Sequence, residues 1–332
     1  MDKNRLIVVV PCYKEEEVLP ETSRRLKEKM YALMEEGQIS RDSRVLFVND
    51  GSTDQTWPII ERLHREDPLF WGINLSRNRG HQNALLAGLM KAKDYGDMIV
   101  SMDADLQDDI NAMDEMVRQY HAGFDIVYGV RSKRETDSFF KRFTAESYYK
   151  FIRMMGADIV YNHADYRLMS RRALEGLAEF GEVNLFLRGI VPQIGYPSTT
   201  VTYERAERFA GESKYPLKKM LAFAFEGITS FSVKPIKMIA SLGAIIAVIS
   251  IICLIWSIVV KLTGHSVDGW SSLMASIWFM GGLQLFCIGL IGQYIGKMYL
   301  ETKHRPRYII ADFLHDEEPD AEDADPSDPS GT

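Results

Sequence analysis

The residues best suited to chemistry are two aspartates and a glutamine within one short stretch, Ser101–Gln107. This stretch follows Met98–Val100, which is predicted to be the end of a buried strand. On an extended backbone every second side chain lies on the same face, so Asp103, Asp105 and Gln107 are predicted to converge. Three oxygen-bearing side chains at a strand end suit a hard divalent cation such as Mg²⁺, and such a cation suits a diphosphate. A plain polar turn between a strand and a helix would use the same residues, so the surroundings must decide.

Similar polar clusters follow the other predicted strands. The predicted strands are Leu6–Val10, Arg44–Val48, Phe70–Leu75, Met98–Val100 and Asp125–Gly129. The clusters that follow the first four of them are Pro11–Glu17, Asn49–Asp54, Ser76–His81 and Asp103–Gln107. Helical patterns lie between the strands, which predicts βαβ units, an α/β fold and a mostly parallel sheet. Ligands bind beyond the carboxyl ends of the strands in such sheets, so all four clusters are predicted to line one site.

Two long runs without charge predict a membrane hairpin. Residues 238–260 and 269–296 contain no charged side chain, and the first run alone is 23 residues long. As a helix it measures about 34 Å, enough to cross a hydrocarbon core of roughly 30 Å. An amphipathic helix at the membrane surface is predicted just before it, over residues 216–233.

The basic residues near the two runs predict the orientation. They lie before the first run and after the second: Lys234, Lys237, Lys297, Lys303, Arg305 and Arg307. The intervening loop, Lys261–Asp268, has only one lysine. Because positive charge is enriched on the cytoplasmic side, we expect the N-terminal domain and both termini to be cytoplasmic at the cell membrane.

The C-terminal tail dominates the net charge. The chain has a formal charge of −7, but residues 312–332 hold nine acidic residues and no Lys or Arg, so the remainder carries +2. The tail is predicted to be disordered from about residue 312. The three cysteines, Cys12, Cys253 and Cys287, have no spacing typical of a zinc site or a disulfide framework.

An ordered set of motifs resembles a known enzyme family. The motifs are Pro11-x-Tyr13-x-Glu15, Asn49–Asp54, Ser76–Gly80, Asp103–Gln107, Gly129–Arg131, Asp165–Met169, Arg205–Tyr215, Ile295–Tyr299 and Lys303 with Arg305-Pro306-x-Tyr308. Together they resemble the family 2 glycosyltransferases with the GT-A fold. They are most similar to the polyprenyl-phosphate glycosyltransferases, the group that includes bactoprenol-phosphate glucosyltransferases and dolichol-phosphate mannose synthases. The resemblance covers residues 5–310.

The resemblance implies a role for each candidate site residue. Nucleotide binding falls to Pro11, Tyr13, Glu15, Asp50 and Asp103. A metal cofactor, Mg²⁺ or Mn²⁺, would be bound by Asp103, Asp105 and Gln107. The acceptor phosphate would be held by Arg131 and Arg142, and the donor diphosphate by Arg205, Arg208 and Lys214. Asp165 would be the catalytic residue of an inverting displacement.

Several of these roles have alternatives. Asp165 is a base in the family, but a phosphate monoester acceptor is mostly dianionic at neutral pH, so Asp165 could instead orient it, stabilise a cationic sugar or form a salt bridge with Arg167. Glu15 could simply favour the first turn of a helix. Arg131 and Arg142 could belong to a solvated basic helix face. The alternative for Arg205, Arg208 and Lys214 is a basic patch beside the membrane.

The remaining histidines and two departures complete the site prediction. His81, His121 and His163 show no metal-binding spacing and are interpreted as structural or surface residues. Lys14 lies where the family usually has Asn, and Asp108–Ile110 lies where a proline-rich turn is common. Neither position is an obvious catalytic group, so these departures affect only the detailed contacts expected with the sugar donor.

The resemblance thus implies an inverting enzyme that moves a sugar from a nucleotide-sugar, UDP-glucose or similar, to polyprenyl (undecaprenyl) phosphate. The predicted regions are a GT-A domain at 1–215, an interfacial helix at 216–233, two transmembrane helices within 234–298 and a tail at 299–332. Its partners would be the donor, the lipid acceptor and the bilayer, with no nucleic acid. Small residues in the second span allow a homo-oligomer. The alternatives are a processive polysaccharide synthase, although its Gln-x-x-Arg-Trp motif is missing, and a non-catalytic nucleotide-sugar sensor.

Overall fold

The computed structural model describes residues 4–132, 163–182, 185–204 and 269–316, together with single positions between 236 and 256. The chain forms two compact units. The first contains the described residues up to 204 and those from 306 onward, and the second contains residues 269–305 and the described positions between 236 and 256.

An eight-stranded sheet forms the centre of the first unit. Its strands are β1 (Leu6–Cys12), β2 (Arg44–Asn49), β3 (Phe70–Leu75), β4 (Met98–Ser101), β5 (Ile126–Arg131), β6 (His163–Ser170), β7 (Ser198–Tyr203) and β8 (Ile310–Leu314). The helices of this unit are α1 (Leu19–Glu35), α2 (Thr56–Glu66), α3 (His81–Ala92), α4 (Ala112–His121), α5 (Arg171–Ala178) and α6 (Leu187–Ile190), the last followed by a 3₁₀ turn at Val191–Ile194. The order across the sheet is β7-β5-β6-β4-β1-β2-β3-β8.

The four neighbouring strands β4, β1, β2 and β3 are parallel, as predicted. Every residue of β1 is buried, because helices cover both faces of a parallel sheet and leave no side for polar residues. Helix α1 contributes the predicted apolar face, with Leu19, Leu26 and Met30 fully buried. The parallel direction brings the carboxyl ends of these strands to one edge of the sheet, where the predicted polar clusters begin.

Strand β6 is the main element that the sequence analysis missed. It runs antiparallel between β4 and β5, with Arg167 opposite both Ser101 and Tyr128. Because β6 is reversed, its first residues, rather than its last, lie at the edge where β4 ends. The Ser101 hydroxyl donates a 2.6 Å hydrogen bond to the carbonyl of Asp165, which fixes that residue beside the end of β4.

Strand β8 shows that the predicted disordered tail begins too early. Residues 310–314 pair antiparallel with β3 at the edge of the sheet. The Phe313 ring packs edge-on against Trp71 and Tyr95 at centroid distances of 6.1 and 6.0 Å. The prediction of disorder, which was based on the acidic charge, was wrong for residues 312–314, because apolar side chains of β8 cover the β3 edge. Strand β8 therefore belongs to the first unit and not to a separate tail.

The second unit contains the helix α7 (Trp270–Thr302). Among the described residues, one segment, Phe279–Thr302 within this helix, is apolar and long enough to cross a bilayer. It overlaps the second predicted span. The described positions between 236 and 256 are helical, consistent with the first predicted span. The predicted interfacial helix at 216–233 lies outside the described residues.

Candidate functional site

The acidic stretch after β4 forms a turn and not an extended strand. Leu106 has a left-handed φ of 58°, and the Asp105 carboxylate accepts a 3.2 Å hydrogen bond from the backbone N–H of Gln107. The predicted strand geometry for Asp103–Gln107 is therefore wrong, because this turn ends the extended backbone after Ser101. The predicted division of side chains holds in part: Met102, Ala104 and Leu106 are buried and Asp103 and Asp105 are partly exposed, but Gln107 is buried as well, at 8% exposure.

Asp103 lies in an electrostatic environment that disfavours its charged form. Burial raises the pKa of its carboxyl, and the charges of Asp165, Asp108 and Asp105 raise it further against the opposing effect of His81, giving a value of about 6. Excess carboxylate charge of this kind fits a bound cation. Among the described residues no three His, Cys, Asp or Glu side chains lie close enough to hold a metal by themselves. Mg²⁺, however, commonly takes only one or two carboxylates and completes its shell with substrate phosphates and water.

Asp165 is buried and held by three basic side chains. Arg188 donates to both carboxylate oxygens, at 3.1 Å from Nε and 3.0 Å from Nη2. Arg167 donates to Oδ1 at 2.9 Å, so the salt bridge that the sequence left as an alternative is present. His81 Nε2 lies 3.5 Å from Asp165 Oδ2 and 3.6 Å from Asp103 Oδ1.

These contacts determine the protonation of Asp165 and His81. Burial by itself would raise the pKa of Asp165, but the His81 hydrogen bond and the charges of Arg188 and Arg167 hold it well below the usual range. Burial would likewise lower the pKa of His81, but Asp165 and Asp103 outweigh it and raise that pKa. Asp165 is thus a stable anion and a poor proton acceptor. The His81 side chain is 43% exposed, as the surface interpretation predicts, but the sequence analysis did not predict that its ring would lie between two site aspartates.

Asp50 organises the loop after β3. Its carboxylate accepts hydrogen bonds from the backbone N–H groups of Arg79 at 2.6 Å and Gly80 at 2.9 Å. Gly51 has a φ of +62°, and a Cβ at this position would lie 2.5 Å from the backbone of Arg77 and Asn78. The loops after β2 and β3 therefore touch backbone to backbone, which requires glycine at position 51.

The loop after β1 meets the same region. Tyr13 is 45% exposed, so its ring is accessible to a planar ligand, whereas Pro11 is buried within β1. Lys14 adopts a left-handed φ of 57°, and its N–H donates to the Ser52 hydroxyl at 3.0 Å. Asn tolerates this conformation better than Lys, which gives a physical reason for the asparagine that the family usually has here. The Glu15 N–H donates to the Thr56 hydroxyl at 3.0 Å and so joins this loop to α2.

Arg131 belongs to a second polar cluster beside the acidic turn. Asp108, which is 3% exposed, accepts hydrogen bonds from the Tyr203 hydroxyl at 2.5 Å and from Arg131 Nη2 at 3.4 Å. Arg131 is thus oriented by Asp108 and Tyr203, and it lies on β5 rather than on a solvated helix face. The sequence analysis missed this role of Asp108 because β7, which carries Tyr203, was not predicted. The predicted residues Arg142, Arg205, Arg208 and Lys214 lie outside the described part of the chain.

Sequence comparisons identify the family of the chain. Residues 7–177 match glycosyl transferase family 2, and residues 234–298 match the GtrB C-terminal hairpin. The chain belongs to glycosyl transferase family 2, with a GT-A-like domain and a C-terminal hairpin, and it is a glycosyltransferase.

Two relatives align over almost their full length. An uncharacterized glycosyltransferase of Bacillus subtilis (strain 168), YkoT, is 52% identical over 94% of this chain and 93% of its own length. The bactoprenol glucosyl transferase of Shigella phage SfV is 41% identical over 92% of this chain and 98% of its own length. The enzymatic prediction is confirmed, and the non-catalytic sensor is disfavoured. The hairpin match and the apolar helix α7 associate the chain with a membrane.

Proposed function

We propose that this glycosyltransferase moves one sugar from a nucleotide-sugar, such as UDP-glucose, to polyprenyl phosphate. The main support is the 41% sequence identity to a bactoprenol glucosyl transferase over 98% of that protein. The aligned region covers 92% of this chain and so spans both the acidic turn and the hairpin region, the parts that donor and lipid acceptor would each need.

The donor would lie at the edge where the parallel strands end. Pro11, Tyr13, Glu15, Asp50 and Asp103 would bind the nucleotide, with Asp50 acting through the loop that it holds. Asp103, Asp105 and Gln107 would hold Mg²⁺ or Mn²⁺ against the diphosphate. The ion supplies Lewis-acid stabilisation of the departing nucleoside diphosphate. Arg205, Arg208 and Lys214 would add positive charge to the same diphosphate.

The acceptor phosphate would itself be the nucleophile. Its oxygen would attack the anomeric carbon as the bond to the diphosphate breaks, which inverts that carbon and releases the nucleoside diphosphate. Arg131 would hold the acceptor phosphate together with Arg142. Because a phosphate monoester is mostly dianionic at neutral pH, no side chain has to remove a proton. Asp165, held as an anion by Arg188 and Arg167, would stabilise positive charge on the sugar.

The membrane arrangement follows from charge. We propose two spans, at about 237–260 and 270–296, with the catalytic unit and both termini on the cytoplasmic side. The basic residues that flank the runs and the nearly uncharged loop between them support this orientation. Small residues along α7, among them Gly282, Gly289 and Gly296, support helix packing within a homo-oligomer.

The test is transfer of radiolabelled sugar from a panel of nucleotide-sugars to undecaprenyl phosphate in detergent. We expect one donor to label the lipid phase, and EDTA to abolish the label. Asp105→Asn should lower the rate by about 100-fold, a typical loss for a group that stabilises transition-state charge. Asp109→Asn is a matched control, because Asp109 also accepts a hydrogen bond from a backbone N–H two residues on, at 2.9 Å, but lies beyond the acidic turn.

The outcomes separate the candidates. Label in a water-soluble polymer would favour the processive synthase. Transfer that survives EDTA and the Asp105 substitution would refute the metal role. No transfer from any donor, despite nucleotide binding, would refute the proposed reaction.

A further inference from the structure

Arg188 lies on the short helix α6 and forms the most complete contact with the site aspartate. Its Nε and Nη2 atoms pair with the two oxygens of Asp165 at 3.1 and 3.0 Å. A guanidinium matches a carboxylate in this forked geometry, which fixes the orientation of both groups. Asp165 therefore cannot rotate without breaking two charge-assisted hydrogen bonds.

The two arginines that contact Asp165 differ in their surroundings. The side chain of Arg167 is 1% exposed and lies within the sheet, whereas that of Arg188 is 34% exposed. The described hydrogen bond from Arg167 reaches one carboxylate oxygen of Asp165, the Oδ1 atom, at 2.9 Å. Of the two arginines, Arg188 is therefore the one that solvent can reach.

Helix α6 is attached to the element that carries His81. The Leu187 N–H donates a 3.1 Å hydrogen bond to the Gln82 side-chain oxygen, and Gln82 directly follows His81 at the start of α3. Leu187 and Ile190 are buried, at 1% and 0% exposure, which anchors the short helix on both sides of Arg188. The position of Arg188 is thus fixed by the same helix start that contacts Asp103 and Asp165.

We propose that Arg188 is a positioning residue, which acts on the reaction by holding the Asp165 carboxylate in one orientation. This inference rests on the proposed function, in which Asp165 faces the reacting sugar. Arg188 acts through Asp165, so its removal should change the rate of the chemical step and leave donor binding almost unchanged.

The test compares Arg188→Gln, Arg188→Lys and a control in sugar transfer to undecaprenyl phosphate. We expect Arg188→Gln to lower kcat by about 100-fold, the cost of roughly 1 Å of misplacement at a reacting group, with the donor KM within about three-fold of wild type. Arg188→Lys keeps the charge and should recover part of kcat. The control is Arg172→Gln. Arg172 pairs in the same fork with Asp125, at the opposite edge of the sheet, and its loss should leave kcat within about two-fold.

A double variant provides the decisive comparison. If Arg188 acts only through Asp165, then Asp165→Asn combined with Arg188→Gln should be as active as Asp165→Asn alone, within about three-fold. The inference would be overturned if the kcat losses of the two single variants multiply in the double variant. It would also be overturned if Arg188→Gln has the kcat of wild type, whether or not its donor KM is raised. Thermal unfolding of each variant shows that the rates refer to folded protein. Absence of transfer by wild type would instead refute the proposed function, and this inference with it.

Discussion

The contact between the loops after β2 and β3 predicts a large effect of a single methyl group. In Gly51→Ala, the new Cβ would lie 2.5 Å from the carbonyl carbon of Arg77 and the amide nitrogen of Asn78. Both neighbours are backbone atoms, so the loop must move by at least about 0.5 Å to reach the 3.0 Å limit of real contacts. That loop carries the N–H groups of Arg79 and Gly80 that Asp50 binds.

The stability cost has two parts. A left-handed residue with a side chain costs about 1–2 kcal/mol relative to glycine. The forced contact adds about 1–3 kcal/mol, as overpacking does in cores. Gly37→Ala is a matched control, because Gly37 has a similar φ of +68° but open space around its Cβ position. The control should therefore show the backbone cost alone.

The assay measures thermal unfolding and nucleotide-sugar binding of both variants in detergent. At about 2–4 °C per kcal/mol for a domain of this size, Gly51→Ala should unfold roughly 2–12 °C below Gly37→Ala. Because the displaced loop carries the N–H groups that Asp50 binds, donor affinity should fall in Gly51→Ala only. Equal melting temperatures and equal donor affinities in the two variants would refute the close contact between the loops.

Three further predictions concern stability. Lys14→Asn should raise the free energy of unfolding by about 0.5–1 kcal/mol, because Asn accepts the left-handed φ of 57° more readily than Lys does. Thermal unfolding measures this gain. The control Lys14→Ala removes the side chain without that benefit and should show no gain. Asp103→Asn should stabilise the protein in EDTA at pH 7.5, because the folded-state pKa of about 6 exceeds the ordinary value of 3.8 and ionisation is unfavourable there. The gain, of order 1 kcal/mol, should vanish as the pH falls through 6 to below 4, where wild-type Asp103 is protonated too; an equal gain at pH 4 and 7.5 would contradict the sign. Phe313→Ala should lower the free energy of unfolding by about 1–2 kcal/mol, since it removes a half-buried ring from the β3 edge, and it should change the fluorescence of Trp71. An unchanged melting temperature would show that β8 contributes little to stability.

Local signals made much of the fold predictable. The β-branched run at Leu6–Val10 has the composition that a strand buried on both faces requires, and the parallel core strands were placed within a few residues. Strand ends followed by polar residues likewise located the acidic turn and the loop bound by Asp50. These features depend on residues adjacent in the chain, so a single sequence contains them.

The sequence by itself determined the parallel core, the edge at which the site lies and the apolar runs of the hairpin, because periodicity and charge patterns encode them. Tertiary structure decided the partners of Asp165. The reversed direction of β6 brings Asp165 beside the end of β4, and the packing of α6 and α3 adds Arg188 and His81 to it. Arg188 lies 23 positions from Asp165 and His81 lies 84 away, so no local pattern signals the contact. Only folding places these charges together, and their mutual attraction then holds the pKa of Asp165 well below its usual range.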